Sequence, residues 1–464
     1  MSHFIPARGA APDLTIPIAL PDRRARGART ARAVLVLAFT VLAAPPALAA
    51  EFEACLGTLR ADAVAKGIAS QTFDAALSGV QPDQSVLDSM GSQPEFTTPI
   101  WDYMASLVDE QRVADGRAKL AEWASVLARA EQQFGVDRHA IAAVWGVESD
   151  FGRILGGRPL VRSLATISCF GHRQRFFRGE LLATLRILQS GDIPAEALVG
   201  SWAGAFGQTQ FMPSTFQRLA VDFDGDGRRD IVGSVPDALG STANFLKRAG
   251  WQTGQPWGYE VSLPPGYDGP AGRRKRQPLA AWTQLGVRRV DGAALSGPGP
   301  AALLLPSGST GPAFIVFRNF DALYSYNAAE SYALAIAHLS DRLRGGGPLL
   351  TPWPTDDPGL SRAQRREVQE LLLARGFDIG APDGIIGPRT RKAIEAFQLT
   401  AGLPVDGRAG ARVHRALQQR SAKPALKGGY EPANAQNPAS AQESAPSAPR
   451  AEAVEPLRGR RVQN

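Results

Sequence analysis

The chain has 464 residues, 44% hydrophobic and 20% charged, which is enough for two or three packed domains and too apolar to be disordered throughout. Its net charge of +7 resides mostly at the ends, where six Arg in the first fifty residues face only Asp13 and Asp22 and the stretch from Ser421 is also basic; the near-neutral middle argues against nucleic acid as the partner. Two Cys exclude a Cys-cluster zinc or iron–sulfur centre, five scattered His without HExxH spacing argue against a zinc hydrolase, and the lack of a Walker A loop, a GxGxxG turn and a GxSxG elbow argues against nucleotide-dependent and serine-hydrolase chemistry.

At the N-terminus an Arg-rich stretch, Arg23 to Arg32, precedes an apolar run, Ala33 to Ala44, and then a small-x-small site, Ala47-Leu48-Ala49. This order predicts a cleaved secretion signal over residues 1–49, the alternative being an uncleaved anchor or a core helix. No other run is apolar for long enough to cross a membrane, so the mature protein is expected to be soluble outside the cytoplasm, with nothing to suggest more than a monomer. That compartment permits a disulfide between Cys55 and Cys169, which would tie the N-terminal arm to the core; two buried free thiols are the other possibility.

From about Glu51 to Arg344 apolar residues recur at three- and four-residue spacing, predicting helices over Arg117 to Phe134, Arg138 to Ser149, Gln174 to Gln189, Pro236 to Ala249 and Tyr332 to Arg344. Between Pro256 and Phe320 the texture changes to Gly, Pro and short β-branched or apolar runs (Tyr259 to Leu263, Ala301 to Leu305, Ala313 to Arg318), predicting a small strand-containing insertion. A Pro- and Asp-rich linker, 346–359, leads to a second compact unit over 360–420. Three helices there are expected to bury Val368, Leu371 and Leu372, then Ile394 and Phe397, then Val413 and Leu417. Residues 421–464 carry almost no large apolar side chain and predict a disordered tail. The fold class is mainly α, with a minor β component.

Within Arg138 to Gly152, Ile141, Val144 and Trp145 form an apolar stripe, and the next position on it is Glu148. A carboxylate continuing a buried stripe is costly unless paired or protonated. Desolvation beside Trp145 would suit it to general-acid work, whereas Arg or backbone donors would make it a satisfied structural group. Asp150 falls off that face and is expected to be solvated or at the helix end. A second cluster runs from Ser201 to Ser214, where Gly204 and Gly207 allow close approach and Trp202 and Phe211 lie among amides and hydroxyls. Such a set suits a sugar ring, with its polar edges and apolar faces, and equally suits a tight helix crossing.

Val147-Glu148-Ser149-Asp150-Phe151-Gly152, the Ser201-to-Ser214 segment, the Asp-rich loop at 222 and Tyr326-Asn327 together resemble the lytic murein transglycosylase B family, over about residues 51 to 345. Asp383-Gly384 through Phe397-Gln398, followed by Gly402 to Gly407, resembles the three-helix peptidoglycan-binding domain often appended to such enzymes. The resemblance implies a periplasmic, lysozyme-like catalytic domain over 50–345 that acts on peptidoglycan glycan strands. It would cleave the β-1,4 bond between N-acetylmuramic acid and N-acetylglucosamine, leave 1,6-anhydromuramic ends and use no cofactor in catalysis. Glu148 would be the single acid/base; Ser201 and Gln210 would line the sugar subsites; Tyr326, Asn327 and Tyr332 would come from across the cleft. A muramidase of the same fold and a non-catalytic scaffold are the rival readings.

The loop Asp222-Phe-Asp224-Gly-Asp226-Gly227-Arg228-Arg-Asp230 places carboxylates at positions 1, 3, 5 and 9 of an EF-hand-type order, with Gly at 6 and the Arg228 carbonyl at 7. Position 12 is Gly233, and by the family resemblance Asp237 stands in as a delayed acidic ligand. The expected set is therefore Asp222, Asp224, Asp226, Arg228 and Asp237 around a structural Ca²⁺.

Overall fold

The computed structural model describes residues 46–90 and 98–421. The apolar leader before Pro46 and the tail after Ser421 lie outside the described residues. An N-terminal arm of α1 (Pro46–Ala65), α2 (Ser70–Leu77) and α3 (Gln84–Ser89) is followed by α4 (Ile100–Leu107), α5 (Glu110–Glu122), α6 (Ala124–Phe134) and α7 (Arg138–Ser149). Then come β1 (Arg158–Pro159), α8 (Leu160–Phe170), α9 (Gln174–Ser190), β2 (Val199–Gly200), α10 (Pro213–Leu219) and α11 (Val235–Arg248). The insertion holds β3 (Gly258–Ser262), α12 (Leu279–Gln284), β4 (Arg288–Arg289), β5 (Ala302–Leu304) and β6 (Ala313–Val316). Helices α13 (Arg318–Asn327) and α14 (Glu330–Arg344) return to the helical body, and α15 (Arg362–Leu373), α16 (Pro388–Ala401) and α17 (Ala411–Ser421) build the C-terminal unit.

Helix α7 is the central element. Asp137 caps its start by accepting from the backbone N–H of His139 (2.8 Å) and Ala140 (3.3 Å), and Ala140 to Gly146 are buried without interruption. Ile141, Val144 and Trp145 are wholly inside, each contributing about 2 kcal/mol by burial. The helix packs against α5, α6, α11 and α14. Gly146 permits this, since a Cβ there would come within 2.6 Å of the Phe151 ring and 3.3 Å of Leu339. The expected single helix from Arg117 to Phe134 is instead broken at Trp123, where the backbone leaves helical geometry (φ −105°, ψ 24°) before α6 begins at Ala124. No Gly or Pro marks this break in the sequence.

The insertion is a four-stranded antiparallel sheet in the order β4-β3-β6-β5, with Val261 opposite Ala313 and Leu303 opposite Ile315. Its inner face buries Val261, Trp282, Leu303, Ile315 and Phe317 as a small separate core. Disulfide Cys55–Cys169 joins α1 to α8, and Phe52 stacks on Phe170 beside it (centroids 5.9 Å apart). Among the described residues no helix is long and apolar enough to cross a membrane.

The C-terminal unit has its own core of Val368, Leu372, Ile394, Phe397, Val413 and Leu417. Leu371 is only half-buried at its edge. A capping box between Ser361 and Gln364 starts α15. The preceding connection is packed onto both units. Glu260 accepts from the N–H groups of Leu350 (2.8 Å) and Thr351 (2.7 Å), Asp357 accepts from Arg412 N–H (2.7 Å), and a Cβ on Gly359 would collide with the backbone of Asp102.

Candidate active site

Glu148 lies on the last turn of α7, half-buried, on the wall of a cleft of about 320 Å³. Around it stand Thr98, Tyr103, Ser106 and Leu107 from the α4 side, Val147, and Asn327 and Tyr332 from the opposite side. Glu148 is the one carboxylate in this lining among the described residues. The Tyr332 hydroxyl donates to Glu148 Oε1. Tyr332 is buried and stacks on Tyr326 at 6.2 Å, which packs in turn on Phe245 and Phe211. Burial, and next the charge of Glu148, push both phenols well above the ordinary tyrosine range. Both therefore stay protonated donors at neutral pH, Tyr332 toward Glu148 and Tyr326 toward the Thr209 carbonyl (2.7 Å).

Helix α7 is stitched to the 201–211 loop by groups that its apolar stripe does not announce. Trp145 Nε1 donates to Gln208 Oε1 (3.0 Å), and Ser149 Oγ donates to the Gln208 carbonyl (2.5 Å) while accepting from Gly152 N–H (2.9 Å). Ser201 Oγ accepts from Ala205 N–H (3.0 Å), and Gln210 Nε2 donates to the carbonyls of Gly207 (2.8 Å) and Leu155 (3.2 Å). Both side chains thus hold the loop in shape, and neither is among the residues enclosing the Glu148 cleft. Tyr103, Thr98, Ser106 and Leu107, which are, carried no motif signal, because helix α4 has no unusual composition.

Of the two positions expected for Asp150, the structure gives the helix end and not the solvated one. It caps α7 in the left-handed region (φ 54°) with its side chain only 4% exposed, held by Arg112, Arg153 and Arg362. Burial alone would raise its pKa, but Arg362, Arg112 and Arg153 outweigh that and keep the carboxyl below the usual Asp range.

In the Asp-rich loop, Asp222, Asp224 and Asp237 bring one carboxylate oxygen each within 4.8 Å of one another. Asp226 stays outside this group and accepts from Arg228 N–H (2.8 Å), while the Arg228 guanidinium turns to the Asp192 carbonyl (3.0 Å). Asp237 is completely buried and accepts from the N–H groups of Phe223 (2.6 Å), Asp224 (3.2 Å) and Asp230 (2.7 Å). Burial above all, with the nearby Asp224 charge, still raises its pKa, so three oxygens converge where a cation would relieve both effects.

Residues 51–341, well over half of the chain, match the transglycosylase SLT domain. The chain belongs to that family. A second match, over residues 361–417, is to a peptidoglycan binding domain. The chain is 31% identical over 251 residues to the membrane-bound lytic murein transglycosylase B of Escherichia coli K12; the match covers 51% of this chain and 65% of that relative. Among solved structures it is similar to SltB3 from Pseudomonas aeruginosa in complex with NAG-anhNAM-pentapeptide (49% identity, 79% of this chain and 99% of that one, TM-score 0.64). It is also similar to the Escherichia coli lytic transglycosylase Slt35 in complex with calcium (29% identity, 62% and 92%, TM-score 0.56).

Within the SLT domain, backbone strain collects around the cleft. Asp150 and Phe151, two and three residues after Glu148, Gln210 in the stitched loop, and Ala328 directly after Asn327 all take positive φ without being glycine, as does Arg173 before α9. Each costs on the order of 1 kcal/mol, and their concentration here matches the way folds reserve strained backbone for functional sites.

Proposed function

We propose that this protein is a periplasmic lytic transglycosylase that cleaves the N-acetylmuramic acid to N-acetylglucosamine β-1,4 bond of peptidoglycan and leaves 1,6-anhydromuramic ends. The observation that carries the reading is that Glu148 is the one carboxylate among the described residues of the cleft. Most glycosidases need two carboxyl groups flanking the scissile bond, one of them to activate water or attack the sugar. No second carboxylate stands among the described lining residues, which supports a reading in which the C6 hydroxyl of the sugar itself is the nucleophile.

Glu148, protonated, gives its proton to the glycosidic oxygen as the bond to C1 breaks. As the carboxylate, it then takes the proton from the C6 hydroxyl as that oxygen closes on C1, and is ready for another cycle. The N-acetyl group can stabilise the intervening positive centre as an oxazolinium. Tyr332 holds one carboxylate oxygen throughout, which fixes the rotamer without supplying a competing base. Asn327, exposed on the cleft wall, is placed to donate to the acetamido or hydroxyl groups of a bound glycan. The C-terminal unit would keep the enzyme on a polymer whose sites recur, by raising effective concentration.

The test is mass spectrometry of the soluble products from purified murein. Anhydromuropeptides are expected; reducing muramic ends would make the protein a muramidase. Release of neither, with murein binding retained, would make it a scaffold.

Asp222, Asp224 and Asp237, none of which lines the Glu148 cleft, would hold a structural Ca²⁺ that completes the 222–237 lobe. With Gly233 at position 12 and no bidentate Glu, affinity is expected in the weak part of the range for such loops, about 10⁻⁴ M. At 10 mM Ca²⁺ that amounts to about 2.7 kcal/mol of stabilisation. A melting temperature that rises with Ca²⁺, returns with chelator and no longer responds in Asp224→Asn would support the site; no response in the unaltered protein would remove it.

A further inference from the structure

The C-terminal unit reaches the catalytic helix itself. Arg362, the first residue of α15, places its guanidinium fork on the Asp150 carboxylate, Nη1 to Oδ2 at 2.8 Å and Nη2 to Oδ1 at 2.9 Å. Asp150 is the C-cap of α7, two residues after Glu148. Arg112 Nε shares Oδ1 at 3.3 Å, and its Nη1 donates to the Leu107 carbonyl (3.2 Å) at the end of α4. Leu107 and Ser106 form the facing wall of the Glu148 cleft. The Arg362 backbone N–H also donates to Asp109 Oδ2 (3.3 Å), and the other oxygen of that carboxylate caps α5 through Arg112 N–H (2.9 Å). One side chain from the glycan-binding unit therefore closes a network that ends on both walls of the cleft.

Asp150 sits in a left-handed conformation that a non-glycine residue adopts at a cost, and its side chain has almost no access to water. A bidentate fork is rigid and directional in a way that a single ammonium is not. We propose that Arg362 is a positioning residue for the glycan-cleaving reaction, acting through the Asp150 cap to fix the last turn of α7 and hence Glu148. The inference rests on the acid/base reading of Glu148. Docking of the C-terminal unit thus becomes part of the active site's preorganisation, besides any role in holding murein.

The contrast is with a contact between the units that reaches the α4 wall but not the Asp150 cap, and Arg408 supplies the comparison. It also crosses between the units, gripping Asp102 (Nη2 to Oδ1 2.6 Å) and Asp357 without touching Asp150. In the full-length protein, kcat and KM on soluble glycan fragments, binding to insoluble murein and melting temperature are measured for Arg362→Ala, Arg362→Lys, Arg408→Ala and Glu148→Gln. With Arg362→Ala, Asp150 keeps Arg112 and Arg153, so folding is expected to survive. A fall in kcat of about tenfold is expected, since sub-ångström displacement of a reacting group is enough for that, with KM and murein binding within about twofold. Arg362→Lys should fall in between. Arg408→Ala should lose comparable stability and keep kcat within about twofold.

The proposal is overturned if Arg362→Ala turns over within twofold of the unaltered protein. It is equally overturned if Arg408→Ala loses as much kcat for the same loss of stability. Should Arg362→Ala not fold, Arg362→Lys decides: lowered kcat at a native melting temperature supports the positioning role, and unchanged kcat overturns it. Full activity in Glu148→Gln would overturn the acid/base reading instead, whatever Arg362 does.

Discussion

Glu148→Gln is expected to lower turnover on murein by about 10³-fold or more while the protein stays folded. One carboxyl group is asked to act twice, as acid to the leaving oxygen and as base to the C6 hydroxyl, so both steps lose their proton carrier together. The amide keeps nearly the same volume and retains a carbonyl oxygen, so the Tyr332 hydroxyl keeps its acceptor. Because Tyr332 and Tyr326 remain protonated far above neutral pH, neither can take over as base. Single-turnover release of muropeptides, with melting temperature as the control, measures this. Turnover within tenfold of the unaltered protein would place the acid/base elsewhere.

Opening the Cys55–Cys169 bridge is expected to cost the catalytic domain about 3–4 kcal/mol, read as a drop of about 10 °C in melting temperature. The bridge closes a sequence separation of 114 residues, so the unfolded chain gains much freedom when it opens. In the folded state it anchors α1 to α8, whose inner residues Leu160, Leu164 and Ile167 share one core with Phe52, Leu56 and Leu59 of the arm. Paired Cys55→Ser and Cys169→Ser replacement avoids leaving a lone thiol. A shift under 2 °C would mean that packing of the arm suffices without the covalent tie. Activity should follow stability here, because neither cysteine is among the described residues lining the Glu148 cleft.

Much of the fold was legible in the sequence wherever the signal is local. Helix α7 occupies the expected Arg138 to Ser149 because apolar spacing and the Asp137 cap both act within a few residues. The inner faces of α15 to α17 and the strands β3, β5 and β6 follow the same logic, for a stripe or an alternation records which side of an element is buried. Glu148 stood out because it continues such a stripe, although the stripe alone left a structural carboxylate the better reading.

Tertiary structure decided what each of these groups meets. Tyr332 reaches Glu148 across 184 positions and Arg362 reaches Asp150 across 212, and no periodicity encodes a partner that far away. Asp150 lies off the apolar stripe, which signals solvent in an isolated helix, yet Arg112 and Arg362 converge on it and make burial affordable. The amides of Gln208 and Gln210 could equally have faced a sugar or a backbone; the folded loop turns them to Trp145, Val232, Gly207 and Leu155. The sequence by itself determined most of the elements named above and their buried faces, and it singled out Glu148 as a carboxylate on a buried stripe. Only the packing of distant segments determined which groups orient it, because a hydrogen bond or ion pair depends on position in space, while the amphipathic pattern depends only on position along the chain.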